Sequence, residues 1–334
     1  LKKITKLILP LFLIFSFVLG ACGNTAPANN GGNTSKESGQ TNAATTNSNK
    51  TADEQPADTG YVPETLTVQF VPSQNADTLE AKAKPLEKLL TDRLGVPVKV
   101  SVSTDYNTII EAMASKQVDV GFLPPTAYVL AKDKGAAEVI LQAQRYGVQD
   151  ETGAPTDELV DFYKAMIIVK KDSKIQSIED LKGKKIAYQN VTSSAGYVWP
   201  AGALLAAGLD PLADVEAITV KGHDQGVIAV LNGDVDAAAI FQDARNTVKA
   251  DYPSVFEDTR VLTYTEPIPN DTISVRSDMS AEWVQKLKDA FIDIGKDEEG
   301  HQIISDIYTH EGYVESSDSA FDTVREYNEK VRTE

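Results

Sequence analysis

Cysteine occurs once in this chain of 334 residues, histidine three times, methionine three times and tryptophan twice. A lone thiol excludes an intramolecular disulfide. One cysteine with His223, His301 and His310 is a poor donor set for a zinc or redox-metal centre, so no metal and no cofactor are expected. There is no GxSxG nucleophile elbow, no Walker phosphate loop and no GxGxxG dinucleotide fingerprint. Positive charge is scarce: 32 Lys and Arg face 49 Asp and Glu, a net charge of −17. That surface disfavours nucleic acid and anionic membranes as partners. A small anion is not excluded, because local dipoles and donors govern a closed cleft. No apolar run reaches the roughly 20 residues of a membrane-spanning helix.

What is present begins with residues 1–21, read as an export signal. Lys2, Lys3 and Lys6 form a basic start, and residues 8–19 form an apolar core. The segment ends Leu19-Gly20-Ala21-Cys22, which resembles the lipobox of bacterial lipoproteins, where cleavage precedes the cysteine and the thiol carries lipid. Cys22 is therefore expected to be lipidated. Cleavage would remove the three lysines and take the net charge from −17 to −20. Residues 23–60 consist largely of Asn, Thr, Ser, Gly, Ala and Gln and have too little apolar bulk to fold. As a flexible tether they would reach roughly 35 Å. The expected location is the extracytoplasmic face of a bacterial cell membrane, with contact through the lipid only.

From Leu66 onward, β-rich runs alternate with helical ones. Strands are expected at 66–71, 99–103, 118–122 and 138–142, with helices at 77–94, 107–115 and 126–134. A second series has strands at 165–169, 185–188, 216–220 and 236–241, with helices at 195–207, 225–231 and 244–250. Residues 261–276 read as extended, and helices are expected at 281–294, 299–308 and 320–331. This alternation argues for parallel α/β sheets. It gives two α/β domains with a ligand cleft between them and a short helical C-terminal tail. The division expected is 61–164 plus 265–334 for domain I and 165–264 for domain II.

Open α/β sheets bind ligands beyond the carboxyl ends of their strands. The loops expected there hold most of the unusual polar residues. Thr192, Ser193 and Ser194 lie between a strand and a helix, where hydroxyls and unpaired backbone N–H groups make an anion site. Ordinary capping explains the same residues. Thr126 follows Pro124-Pro125 in a similar turn. His223 opens a helix after Lys221-Gly222, Asp243 follows Phe241-Gln242, and Tyr106 follows Ser103-Thr104-Asp105. Each has a plain alternative: a cap for His223 and Asp243, packing for Tyr106 and Tyr197.

The run Gln189-Asn190-Val191-Thr192-Ser193-Ser194-Ala195-Gly196-Tyr197-Val198-Trp199-Pro200 resembles the Ser-Thr-Ser-Gly-Tyr…Pro signature of PhnD-type binding proteins, which serve phosphonate, phosphite and phosphate ABC transporters. The likeness extends over about 65–310, through Gly121-Phe122 to Tyr128, Gly222-His223 and Ile268-Pro269-Asn270-Asp271. It implies a type II periplasmic-binding-protein fold with the ligand held between two hinged domains. It also implies that Ser193 and Ser194 donate to a phosphorus oxyanion, with Thr192 beside them. Thr126 matches the facing domain, Tyr106 and Tyr197 fall in the cleft motif, and His223 matches an anion donor. Asp243 matches an acid that receives a ligand amine or a protonated oxygen. Ala195 departs from the pattern, where a third hydroxyl is usual. The implied partners are a phosphorus oxyanion and an ABC permease with its ATPase, the protein acting as a monomer and not as an enzyme. Three other readings stand beside it. The fold could hold another small anion such as a sulfonate, the chain could be a sensory lipoprotein, or Ser194, His223 and Asp243 could form a hydrolase triad.

Overall fold

The computed structural model describes residues 60–150 and 152–332. The signal peptide, Cys22 and the tether up to residue 59 lie outside the described residues. The first part of the chain forms β1 (Leu66–Phe70), α1 (Ala76–Ala83), α2 (Leu86–Leu94), β2 (Val98–Val102), α3 (Tyr106–Ala114), β3 (Val120–Leu123), α4 (Pro125–Asp133), β4 (Ala137–Val148) and β5 (Pro155–Val160). The middle supplies β6 (Phe162–Lys170), β7 (Lys185–Tyr188), α5 (Trp199–Ala206), β8 (Glu216–Thr219), α6 (His223–Asn232), β9 (Ala237–Phe241), α7 (Val255–Asp258) and β10 (Thr259–Pro269). The chain closes with β11 (Thr272–Arg276), α8 (Ala281–Lys296), α9 (Glu298–Tyr308), β12 (Gly312–Glu315) and α10 (Asp322–Arg332).

Two sheets organise these elements into two lobes. The first runs β12-β4-β11-β3-β1-β2, with β5 added to β4, and the second runs β10-β6-β9-β7-β8. Both are mixed, where the alternation predicted parallel pairing. β1 is parallel to β2 and β3, and β7 is parallel to β8 and β9. β11 is antiparallel to β3 and β4, and β6 is antiparallel to β9 and β10. Those antiparallel strands bracket the two passages of the chain between sheets, at Asp161 and at Asn270-Asp271.

Other departures have local causes. The helix expected at 77–94 is two helices, because Pro85 lacks an N–H and interrupts the bonding ladder. The strand expected at 138–142 continues to Val148 and turns back as β5; buried Arg145 and Gln142 interrupt its apolar pattern. The stretch 244–250 holds only a 3₁₀ turn at Ala244–Val248. The stretch 261–276 divides into β10 and β11, and four-residue β12 carries no signal strong enough to have been read.

Packing explains the arrangement. On one face of the first sheet, Phe122 stacks on Phe70 with ring centroids 4.1 Å apart and meets Phe291 and Tyr313 edge-on. On the other side, Tyr128 of α4 meets Phe321 at 5.0 Å, and Trp199 of α5 stacks on Tyr327 at 4.3 Å. The C-terminal segment thus packs against one helix from each lobe. Phe122→Ala should cost about 3–5 kcal/mol through the cavity it leaves, read as a lower urea midpoint with an unchanged slope.

Candidate functional site

The strand-end loops of both lobes converge on a cavity of about 380 Å³. Its wall includes Ser73 and Gln74 after β1, Tyr106 at the start of α3, Pro124 after β3, and Arg145 of β4. The second lobe contributes Ser193, Ala195, His223, Phe241 and Asp243. Tyr163, Asn270 and Asp271 enter beside the two passages, and residues 305–310 close one end.

The hydroxyl turn is built around a short five-residue π turn, Ser194–Val198, preceding α5. Its wide bonding occurs often at functional sites. Ser193 is the N-cap, its Oγ accepting from the Gly196 N–H at 3.1 Å. Gly196 must be glycine, since a Cβ there would lie 2.6 Å from the Gln189 Cβ and 2.8 Å from the Ser193 Oγ. Ser193 Oγ and Tyr106 OH both donate to the Gln189 Oε1, each at 3.0 Å. The Gln189 amide donates in turn to the Pro72 carbonyl at 3.0 Å and the Lys221 carbonyl at 3.2 Å. Ser194 reaches the first lobe directly. Its Oγ donates to Thr126 Oγ1 at 2.9 Å and accepts from the Thr126 N–H at 3.0 Å. Ser193, Ser194, Thr126 and Tyr106 are thereby brought together.

Thr192 and Tyr197 are placed elsewhere. Thr192 donates its hydroxyl to the Asn190 Oδ1 at 2.7 Å in a local turn. Tyr197 packs edge-on against Tyr188 at 5.3 Å and borders a separate depression with Leu205 and Leu212. Neither lines the cavity, and Thr126 and Ser194, paired with each other, are not part of its wall either; Tyr106, Ser193, His223 and Asp243 are.

His223 lines the cavity, its ring 4.8 Å from Phe241, while its backbone N–H donates to the Ser73 carbonyl at 2.9 Å. Burial lowers its pKa from 6.5 to about 3, so the imidazole is neutral at physiological pH. Its Nδ1 is buried without a hydrogen-bond partner. Asp243 pairs through Oδ2 with Arg145 Nη2 at 2.6 Å, joining β4 of one lobe to the turn after β9 of the other. Both side chains are about nine-tenths buried. The Asp243 Oδ1 and Arg145 Nε have no hydrogen-bond partner. No hydrogen bond among the described residues links Ser194, His223 and Asp243, so the hydrolase triad is not assembled.

Three further features escaped the sequence reading. Arg145 lies inside a strand, where a lone arginine gives no signal, and Gln189 stands out in the sequence only as the first residue of the hydroxyl motif. Asp271 sits at the second passage with its Oδ1 buried and unpartnered and its Oδ2 3.8 Å from the His310 Nε2. Burial raises the pKa values of Tyr106, Tyr163, Tyr308 and Tyr313, with the Asp271 charge next for Tyr106, Tyr163 and Tyr313, and Tyr106 ahead of Asp271 for Tyr308; all four phenols therefore stay protonated hydrogen-bond donors. Their clustering in the fold, with no spacing rule to announce it, left Asp271 without a signal beyond its place in the resemblance. Among the described residues no group of three or more His, Cys, Asp and Glu is placed to hold a metal ion. No described helix is long and apolar enough to cross a membrane.

The cavity wall therefore holds hydroxyl, imidazole, guanidinium and ammonium donors together with three carboxylates, of which Asp243 and Asp271 each have a buried, unpartnered oxygen. That set suits a small oxyanion that carries its own donor hydrogens. Comparison with known proteins agrees with the architecture. The chain is 32% identical over 186 residues to the phosphate-import protein PhnD of Mycolicibacterium smegmatis, covering 54% of this chain and 56% of that one. The match thus spans little more than half the length of that relative. It is 25% identical over 243 residues to the phosphonates-binding periplasmic protein of Escherichia coli, covering 72% of this chain and 69% of the relative. Among solved structures, a binding-protein component of a phosphonate ABC transporter from Pseudomonas aeruginosa superposes with a TM-score of 0.70, at 24% identity over 80% of this chain and 87% of the other. PhnD1 of Prochlorococcus marinus, solved with methylphosphonate, gives 0.69 at 18% identity, covering 81% and 99%. These two likenesses show the type II periplasmic-binding-protein fold. Residues 68–321 match the family described as ABC transporter, phosphonate, periplasmic substrate-binding protein, and the chain belongs to that family.

Proposed function

We propose that this protein is the extracytoplasmic ligand-binding component of an ABC importer, that Cys22 tethers it to the membrane, and that it captures a phosphorus oxyanion by closure of its two lobes. It binds and releases its ligand without chemical change. The permease with its ATPase recognises the closed form.

The observation that carries the reading is the donor set at the meeting of the lobes. Ser193 and Tyr106 share Gln189 as acceptor on the cavity wall that also holds a neutral, buried His223, and Ser194, next to Ser193, pairs with Thr126 across the lobes. A tetrahedral oxyanion takes several charge-assisted hydrogen bonds, which hydroxyl, imidazole and backbone N–H donors offer, and Lys82 and the Asp243-paired Arg145 add positive charge to the wall. Asp243 and Asp271 each keep a buried oxygen open, which favours a ligand bearing an ammonium or a protonated oxygen over a bare dianion. The lobes are the domains: 61–160 with 271–334, and 162–269. The hinge is assigned to the two passages between the lobes, at Asp161 and Asn270, where the Asn270 N–H donates to the Asp161 carbonyl at 2.7 Å.

Calorimetric titration with phosphite, phosphate, methylphosphonate and 2-aminoethylphosphonate tests the ligand class, and absence of heat with all four would sink it. Ser193→Ala/Ser194→Ala removes two hydrogen bonds to a charged ligand, each worth about 1.5–3 kcal/mol. The expected loss of affinity is roughly 10²- to 10⁴-fold. Asp271→Asn is expected to weaken 2-aminoethylphosphonate about tenfold or more relative to methylphosphonate. An unchanged ratio would remove Asp271 from ligand selection.

His223 gives a stability test with a definite sign. Its folded pKa of about 3 lies below the 6.5 of an exposed histidine, so the unfolded chain binds the extra proton between those values. Stability is then lost as pH falls from 6.5 towards 3, by up to about 1.4 kcal/mol per pH unit. In urea titrations between pH 6 and 4, His223→Gln should show a correspondingly shallower decline than wild type.

A further inference from the structure

The turn after β9 has two working faces. Asp243, Asn246 and Thr247 line the ligand cavity, whereas Arg245 lines a separate cavity of about 260 Å³ behind it. That second cavity is bordered by Lys171, Arg260, Thr259, Tyr264, Phe256 and Asp150.

Arg245 is 3% exposed, and its Nε and Nη2 have no hydrogen-bond partner. The guanidinium lies over the Phe256 ring, 4.4 Å from its centroid. A ring face attracts the charge, but it accepts no conventional hydrogen bond, so the N–H donors stay unsatisfied. An unpaired buried cation is costly, and an arginine does not escape by losing its proton. Among the described residues, the neighbouring groups offer no relief. Asp150 is engaged by Lys164 at 3.1 Å and by the Gln242 amide at 2.6 Å. Arg260 is itself a cation, donating to the carbonyls of Ser173 and Ile175, and Lys171 adds a third positive charge at the rim. Three cations thus border a cavity whose carboxylate already has partners.

We propose that this cavity is a second anion site, in which Arg245 holds a small oxyanion of the carboxylate, sulfate or phosphate kind through its in-plane N–H groups, with Lys171 at the rim. It is built by residues distinct from those of the ligand cavity, and it does not depend on what that cavity binds.

The test uses the full chain carrying Ser193→Ala/Ser194→Ala, so that the ligand cavity is disabled, with inorganic sulfate as the probe. A saturable rise in melting temperature with sulfate is expected, lost in an added Arg245→Met and weakened in an added Arg245→Lys. The same saturable rise persisting in Arg245→Met would overturn the proposal. Should Arg245→Met not fold, crystals of the wild-type chain soaked in selenate decide the matter. A selenium anomalous peak within hydrogen-bond distance of the Arg245 guanidinium supports the site. A map with no such peak there overturns it. Failure of phosphorus ligands in the calorimetric titration bears only on the ligand cavity, because that measurement does not involve Arg245.

Discussion

The side-chain amide of Gln189 ties the cavity together. Its oxygen accepts from a first-lobe phenol and a second-lobe hydroxyl, and its nitrogen donates to backbone carbonyls in both lobes. A buried amide with this pattern of partners has one orientation that satisfies them all. The positions of Tyr106, Ser193, Pro72 and Lys221 are thereby set relative to one another. The contact between Ser194 and Thr126, and the buried pair of Arg145 with Asp243, then fall on either side of this anchor. Ser193 and Ser194 can present hydroxyls at one place because Gln189 and Gly196 fix the turn that carries them.

The alternation of β-rich and helical runs was legible because each lobe buries its strands between helices, and the end-of-strand loops followed from that alone. Direction was not legible. Periodicity reports which face of a strand is buried and says nothing of which neighbour it pairs with, so β6 read as one of a parallel series and β11 only as part of an extended stretch, although both run against their neighbours. The site divided along the same line. Ser193, Ser194 and His223 stand just past strand ends, in short polar runs between an apolar strand and a helix. Arg145 sits in mid-strand and Asp271 at a passage between sheets; burial and the opposite lobe give them meaning, and one sequence window shows neither. Tyr197 and Thr192 show the converse error, since adjacency to a binding motif does not decide where a side chain points.

Asp243 and Asp271 in a cavity proposed to take an anion are less paradoxical than they look. Asp243 is partly neutralised by Arg145, and Asp271 lies among phenols that remain protonated. Each still leaves one oxygen open. Discrimination among oxyanions of similar shape is then a matter of proton count, and a site with unfilled acceptors penalises the ligand that brings no hydrogens.

The strand order of the first sheet bears on the order of assembly. β11 lies between β3 and β4, yet it is reached only after the whole second lobe has been traversed, and β12 follows later still. A chain emerging from its amino end would hold β1 to β4 with a gap at the centre of their sheet, while β6 to β10 are complete on their own. The lobe that begins the sequence is therefore the one finished last. Its exposed strand edges must be kept from other chains until the final sixty or so residues arrive.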